Sequence, residues 1–184
     1  LEIKMATKTP VSHTHRPKDS ASYAAPRLIS GVQIPVVRNI EEAAAVCHEY
    51  KSVISAGPNE RECDWGHKNH RVFKFGDTTI KSPSAPQYEQ INDLVLWGAE
   101  QDDLLVHCHA GMSRSTSTAW GIAIARGLDP EMAIQELLAQ HPFDTFIGRK
   151  QIRPFIPNLL VVKYLEEMFD LDLLEILNDY QNWN

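Results

Sequence analysis

The sequence predicts an α/β fold built on a central, mostly parallel sheet. Two observations predict it. Short apolar runs of strand length recur along the chain, most clearly at 52–56 and 103–107, and segments with apolar residues at helical spacing alternate with them. In a chain of 184 residues with 43% hydrophobic content, that alternation points to one α/β domain with a sizeable core.

The elements follow in order. Residues 1–25 are rich in Thr, Ser, Pro, His and Lys and nearly free of large apolar side chains, so a disordered arm is expected, with 26–184 as a single domain. Leu1–Lys4 reads as a leftover ahead of Met5, the expected native start. Residues 27–32 and 36–37 have the β-branched content of early strands. Asn39 caps a helix carrying Glu41 and Glu42 in its first turn and running to about Tyr50. Residues 51–56 form a buried strand closed by Gly57-Pro58. A polar loop follows, then a strand over 70–75 and a loop over 76–86. Tyr88, Ile91, Leu94, Val95 and Gly98 give an amphipathic helix over 87–100. The strand at 103–107 leads through 108–114 into a helix ending at Arg126, where Gly127 suits a helix C-terminus. Asp129-Pro130-Glu131 opens the next helix, which stops near His141-Pro142. Residues 143–157 are expected to be irregular, Pro157-Asn158 to open a helix to about Phe169, and 171–177 to form a last short one.

Composition sets limits on function. Net charge is −6, and because Lys4, Lys8, Arg16, Lys18 and Arg27 outweigh Glu2 and Asp19, the body is more acidic than that total. An acidic body argues against a nucleic-acid partner. No apolar run is long enough to span a bilayer and no signal-peptide pattern opens the chain, so a cytoplasmic protein is expected. Three cysteines at irregular spacing are no disulfide framework. Cys47 reads as buried filler in a helix. Cys63 lies in a polar loop with no role assigned beyond a possible redox partnership. His13 and His15 are expected to be solvated in the arm.

The chemistry lies in Leu104-Leu105-Val106-His107-Cys108-His109-Ala110-Gly111-Met112-Ser113-Arg114-Ser115-Thr116. An apolar strand ends in a cysteine, five residues and an arginine follow, and hydroxyl residues open a helix. A loop from strand to helix N-terminus presents several backbone N–H groups to one point, where the helix dipole also favours an anion. Ala110 and Gly111 are small enough for the backbone to wrap an oxyanion, and Arg114 closes the loop with a planar fork for two phosphate oxygens. His109, Met112 and Ser113 complete the cradle. The same field favours the Cys108 thiolate, placed for in-line attack on phosphorus. A carboxylic acid must still protonate the leaving oxygen and activate water. Asp77, after a strand and before a loop, is the best candidate, ahead of Asp93, Asp102 and Asp103. The Ser115 hydroxyl suits a bond to the cysteine sulfur. His107-Cys108-His109 is a poor metal site, because successive residues at a strand end point in different directions. His107 is expected to hold the loop and tune the thiolate.

These residues resemble the His-Cys-x5-Arg-Ser/Thr signature of the protein tyrosine phosphatase superfamily. Ala110-Gly111 with Ser113-Arg114-Ser115 looks like its compact dual-specificity branch, and Asp77, His141-Pro142 and Pro157-Asn158 are similar to features of small bacterial and phage-type members. The resemblance covers about 27–177. It implies a three-layer α/β/α domain of cysteine phosphatase fold, with a central sheet of four or five strands. It implies Cys108 as nucleophile, Arg114 as phosphate ligand, Ser115 as the assisting hydroxyl and Asp77 as general acid, with no metal or organic cofactor. The partner would be a phosphorylated protein or another phosphomonoester. No segment resembles the tyrosine-recognition loop of the tyrosine-specific enzymes, so strict phosphotyrosine specificity is not implied. Met112 would suit an aromatic or lipid-like leaving group, and Arg149, Lys150 and Arg153 make 143–157 basic, either for an anionic substrate or as a solvated loop. Rival readings are a phosphatase of lipid, nucleotide or RNA phosphate, a phosphate-binding adaptor without turnover, and a thiol redox enzyme. The sequence leaves the substrate and the oligomeric state open.

Overall fold

The computed structural model describes residues 28–29, 31–57, 60–140, 145–147, 150–152 and 155–182. The expected N-terminal arm and His141-Pro142 lie outside them. The chain begins with a two-residue antiparallel pair, β1 (Leu28–Ile29) with β2 (Val32–Gln33). The single strand expected over 27–32 is thus a small hairpin that turns at Gly31.

The central sheet is β3 (Val36–Arg38), β4 (Ser52–Ala56), β5 (His70–Phe73) and β6 (Leu104–His107), in the order β3-β6-β4-β5. Every pairing in it is parallel. All four strands therefore end on one rim, where the loops that follow them meet. The expected α/β fold with a parallel sheet flanked by helices is the observed one.

Helix α1 (Ile40–Val46) joins β3 to β4, and its start is set by the Asn39 side chain, which accepts from Glu42 N at 2.8 Å. α2 (Tyr88–Ala99) joins β5 to β6, and α3 (Arg114–Ala125) follows β6 through the cysteine loop. α4 (Pro130–Ala139) starts as expected, with Asp129 accepting from Glu131 N and Met132 N at 3.0 and 3.1 Å. Thr145–Ile147 (β7) and Lys150–Ile152 (β8) pair as an antiparallel hairpin, where the sequence suggested only irregular chain. α5 (Leu159–Phe169) and α6 (Leu173–Asn182) close the fold. No helix among the described residues is long and apolar enough to cross a membrane.

Side chains alternate across the buried strands. Val37, Ile54, Ala56, Phe73, Leu104 and Val106 face α2 to α6 in the larger core, around the fully buried Trp120. Val36, Val53 and Leu105 face Ala43, Val46, Cys47 and Tyr50 in a smaller one under α1. α3 runs through the middle: every residue from Ser115 to Ile124 is buried. Gln140 serves the β3 edge, taking Val37 N on its carbonyl and giving its amide to Pro35 O, both at 2.8 Å.

Candidate active site

The turn from β6 to α3 is shaped by its neighbours. Gly111 has φ +71, and a Cβ there would come within 2.7 Å of Asn39 N and 2.9 Å of the Arg38 carbonyl carbon. Only glycine lets the loop lie this close to the end of β3. Ile40 N donates to His109 O at 3.2 Å and Ile156 N to Met112 O at 3.0 Å, which ties the loop to the start of α1 and to the approach to α5.

Ser113 is the N-cap of α3, yet its hydroxyl makes no cap; it donates to Asp77 Oδ1 at 2.7 Å. The hydroxyls of Thr116 and Ser117 bond back to the carbonyls of Met112, Ser113 and Arg114. The amides of the first turn are thus left without a side-chain acceptor, and a helix start of this kind attracts an anion. Cys108 sits at the base, 1% exposed, with Sγ 3.1 Å from the Oγ of the fully buried Ser115.

Arg114 reaches back over the rim. Nη1 donates to Phe75 O at 3.2 Å, Nη2 contacts His109 Nδ1 at 3.3 Å, and Nε lies 3.7 Å from Asp77 Oδ2. Gly57, at the end of β4 with φ +100, makes room: a Cβ there would fall 2.0 Å from Nη1 and 2.8 Å from Cδ. Asp77 is held from a third side by Asn158, whose amide donates to Oδ1 at 2.8 Å and to Thr78 O at 3.2 Å. The same Asn158 caps α5 through Leu160 N and Val161 N, so the carboxylate is referenced to a rigid helix end. His109 is half exposed and bridges Arg114 to Glu62, with Nε2 3.1 Å from Oε2.

His107 is fully buried behind the cysteine, with Nε2 2.5 Å from Ser55 Oγ. Burial first, and the nearby His70 second, push its pKa down to about 3, against backbone hydrogen bonding at Cys108. The ring is therefore neutral at physiological pH. Among the described residues no group of three or more His, Cys, Asp and Glu side chains is arranged to hold a metal ion. Cys47 and Cys63 are free and buried like Cys108, and burial pushes both of their thiols up.

The structure thus brings Cys108, Ser115, Arg114, Ser113 and Asp77 together with His107 and His109. Asp93 lies in α2, 3.8 Å from Arg71. Asp102 and Asp103 precede β6, at the opposite end from the cysteine loop. Sequence reasoning gave no site role to Gly57, Ser55, His70, Glu62 or Asn158. Two signals were available: a serine inside a buried apolar strand, and a helix cap in the Pro-Asn pair.

No protein-family model matches the sequence, and no curated protein sequence matches it either. Solved structures do. A putative dual specificity phosphatase from mouse, solved with zinc tungstate, is similar over 89% of this chain and 98% of its own, at 14% identity and a TM-score of 0.54. Human DUSP28 is similar over 73% of this chain and 86% of its own, also at 14% identity and 0.54. At that identity the likeness speaks for architecture alone: this chain has the fold of these dual specificity phosphatases.

Proposed function

We propose that this protein is a cysteine-dependent phosphatase that hydrolyses phosphate monoesters through a phosphocysteine on Cys108. The observation that carries the reading is the convergence of three groups on one loop. Cys108 lies at its base, bonded to Ser115 at 3.1 Å; Arg114 folds over its rim; and Asp77 is held there by Ser113 and Asn158.

The reaction has two steps. The ester phosphate docks on the 109–113 amides and turns the Arg114 fork from Phe75 O and His109 toward its own oxygens. The Cys108 sulfur attacks phosphorus in line, the ester P–O bond breaks, and Asp77 gives its proton to the leaving oxygen. Water then attacks the phosphocysteine, its proton passes to Asp77, and the P–S bond breaks to release phosphate. The Ser115 hydroxyl donates to the departing sulfur. No metal enters either step.

The substrate we propose is a phosphorylated protein, with phosphotyrosine, phosphoserine and phosphothreonine all accepted, in the cytoplasm. One feature supports this breadth: no segment of the sequence resembles the tyrosine-recognition loop of the tyrosine-specific enzymes. The test is hydrolysis of a small aryl phosphate without added metal. Cys108→Ser is expected to abolish turnover while phosphate analogues still bind. Asp77→Ala is expected to slow esters with poor leaving groups most. Turnover that survives Cys108→Ser overturns the reading.

A further inference from the structure

The side chain of His109 stands between two groups that can each play only one part. Its Nδ1 lies 3.3 Å from Arg114 Nη2, and its Nε2 lies 3.1 Å from Glu62 Oε2. A guanidinium has no lone pair to offer, so Nδ1 must accept. A carboxylate can only accept, so Nε2 must carry the ring proton. Both neighbours thus fix the same form, a neutral imidazole protonated at Nε2 alone. A second ring proton would sit on Nδ1 and point at an Arg114 N–H.

The two neighbours act on the ring in opposite ways. Glu62, at the end of the single helical turn Glu60–Glu62, attracts positive charge to it. Arg114 repels positive charge and also fills the one lone pair where a further proton could bind. Other charged groups stand around the pair. Asp77 faces Arg114 Nε at 3.7 Å, and His107, behind the loop, is buried and neutral. α1, whose Ile40 N donates to the His109 carbonyl, carries Glu41 and Glu42 in its first turn and follows Arg38 of β3. The side chains of His109 and Glu62 are 51% and 42% exposed, so the ring exchanges protons directly with water.

In the reaction proposed above, a docking phosphate turns the Arg114 fork away from His109. Nδ1 is then bare, an anion has arrived beside the loop, and Glu62 still holds Nε2–H. We propose that His109 takes up a proton from solvent at Nδ1 when an oxyanion docks and becomes a second cation of the phosphate site, with Glu62 as the positioning residue that holds the charged ring. The N–H bond at Nδ1 is the one bond formed, and it breaks, returning the proton to solvent, when the anion leaves and Arg114 comes back. The proposal rests on the reading of this loop as a phosphate site and adds to it a side-chain charge that comes and goes with the ligand.

The test is nitrogen NMR of the imidazole rings in the full chain at neutral pH, titrated with tungstate, which stays a dianion there, alongside aryl phosphate turnover on the same sample. Wild type without tungstate is expected to show His109 protonated at Nε2 alone. Saturating tungstate should protonate both ring nitrogens. In Glu62→Gln, whose side-chain oxygen can still accept from Nε2–H but carries no charge, Nδ1 should stay bare under tungstate. The tungstate Kd of that variant should rise about fivefold, the upper scale for a half-exposed charge pair. The proposal is overturned by a neutral His109 in the wild-type tungstate complex, by a ring already charged before tungstate is added, or by a Glu62→Gln ring that charges as in wild type. The wild-type spectra decide the first two points without any variant. Tungstate that binds beside a neutral ring, with aryl phosphate still hydrolysed, sinks this inference and leaves the phosphatase reading standing. A chain that neither binds tungstate nor hydrolyses aryl phosphate sinks both.

Discussion

On one face of the central sheet, Ile54, Ala56, Leu104 and Val106 meet the side chains of α2, α3 and α5 in apolar packing. On the other, Ser55 and His107 occupy the alternate positions of the same two strands and bond to each other and to His70. A single pleat therefore separates an apolar face from one that sets a buried polar pair beside the smaller apolar core. β6 shows this in four residues: Leu104 and Val106 pack into the larger core from one side, and on the other Leu105 packs into the smaller core while His107 bonds to Ser55. A short strand can thus be wholly buried and still carry a polar partner on one of its faces.

Variants test how separable the two faces are. In stability, the largest effect is expected from Trp120→Ala on the packing side. Trp120 is fully buried, donates to Pro130 O at 3.0 Å and meets Phe155 edge-on at 6.0 Å. Its truncation should cost about 3–5 kcal/mol in urea unfolding. A much smaller loss would mean that the larger core is not what holds the sheet.

Next comes pH, which should act on the polar face. His107 is buried neutral, with its pKa lowered from about 6.5 in the unfolded chain to about 3. The unfolded state therefore binds the proton first as pH falls. Stability is fully present above about 6.5 and is lost progressively toward about 3, at up to about 1.4 kcal/mol per pH unit. His70, also lowered by burial, adds in the same direction. Unfolding at pH 5 should be easier than at pH 7 by about 2 kcal/mol, and His107→Gln should flatten that slope. An unchanged slope in the variant would break the assignment.

Gly57→Ala sharpens the comparison at the rim where the faces meet. A residue with a Cβ at φ +100 is strained by about 1–2 kcal/mol, and this Cβ would displace the Arg114 guanidinium. The expected signature is a modest fall in stability with about a hundredfold loss of aryl phosphate turnover, as for a displaced transition-state donor. Smallest in stability is Asn158→Ala, at about 1 kcal/mol for the lost cap of α5. Because Asp77 loses one of its holders at the same time, the variant's rate loss should grow as the leaving group worsens. Equal losses for good and poor leaving groups would argue against Asp77 as the acid.

The loop 108–114 was legible because its parts are contiguous: strand, cysteine, small residues, arginine and helix start all lie within a few turns of chain. Asp77 was legible because parallel strands bring their trailing loops to one rim. The pairing of Ser55 with His70 and His107 was not, since it depends on strand order and register among three separated segments. The β7–β8 hairpin escaped because three-residue strands leave no alternation to read. α6 runs past the expected end at 177 because Tyr180, about one turn beyond Leu177, still packs against the larger core; the helix is begun by Asp172, which accepts from Glu175 N at 3.2 Å.

The burial of α3 along ten consecutive residues has a consequence for how the molecule breathes. Amides in a helix enclosed on all sides exchange with solvent only when the whole domain opens. The helix that begins at Arg114 should therefore be the slowest-exchanging segment, protected to the full free energy of unfolding. The cysteine loop is tied to its first turn, so local fraying cannot loosen that loop while the rest stays folded. Deuterium uptake along α3 would then serve as an internal clock for global opening, and the loosening of the cysteine loop should keep the same time.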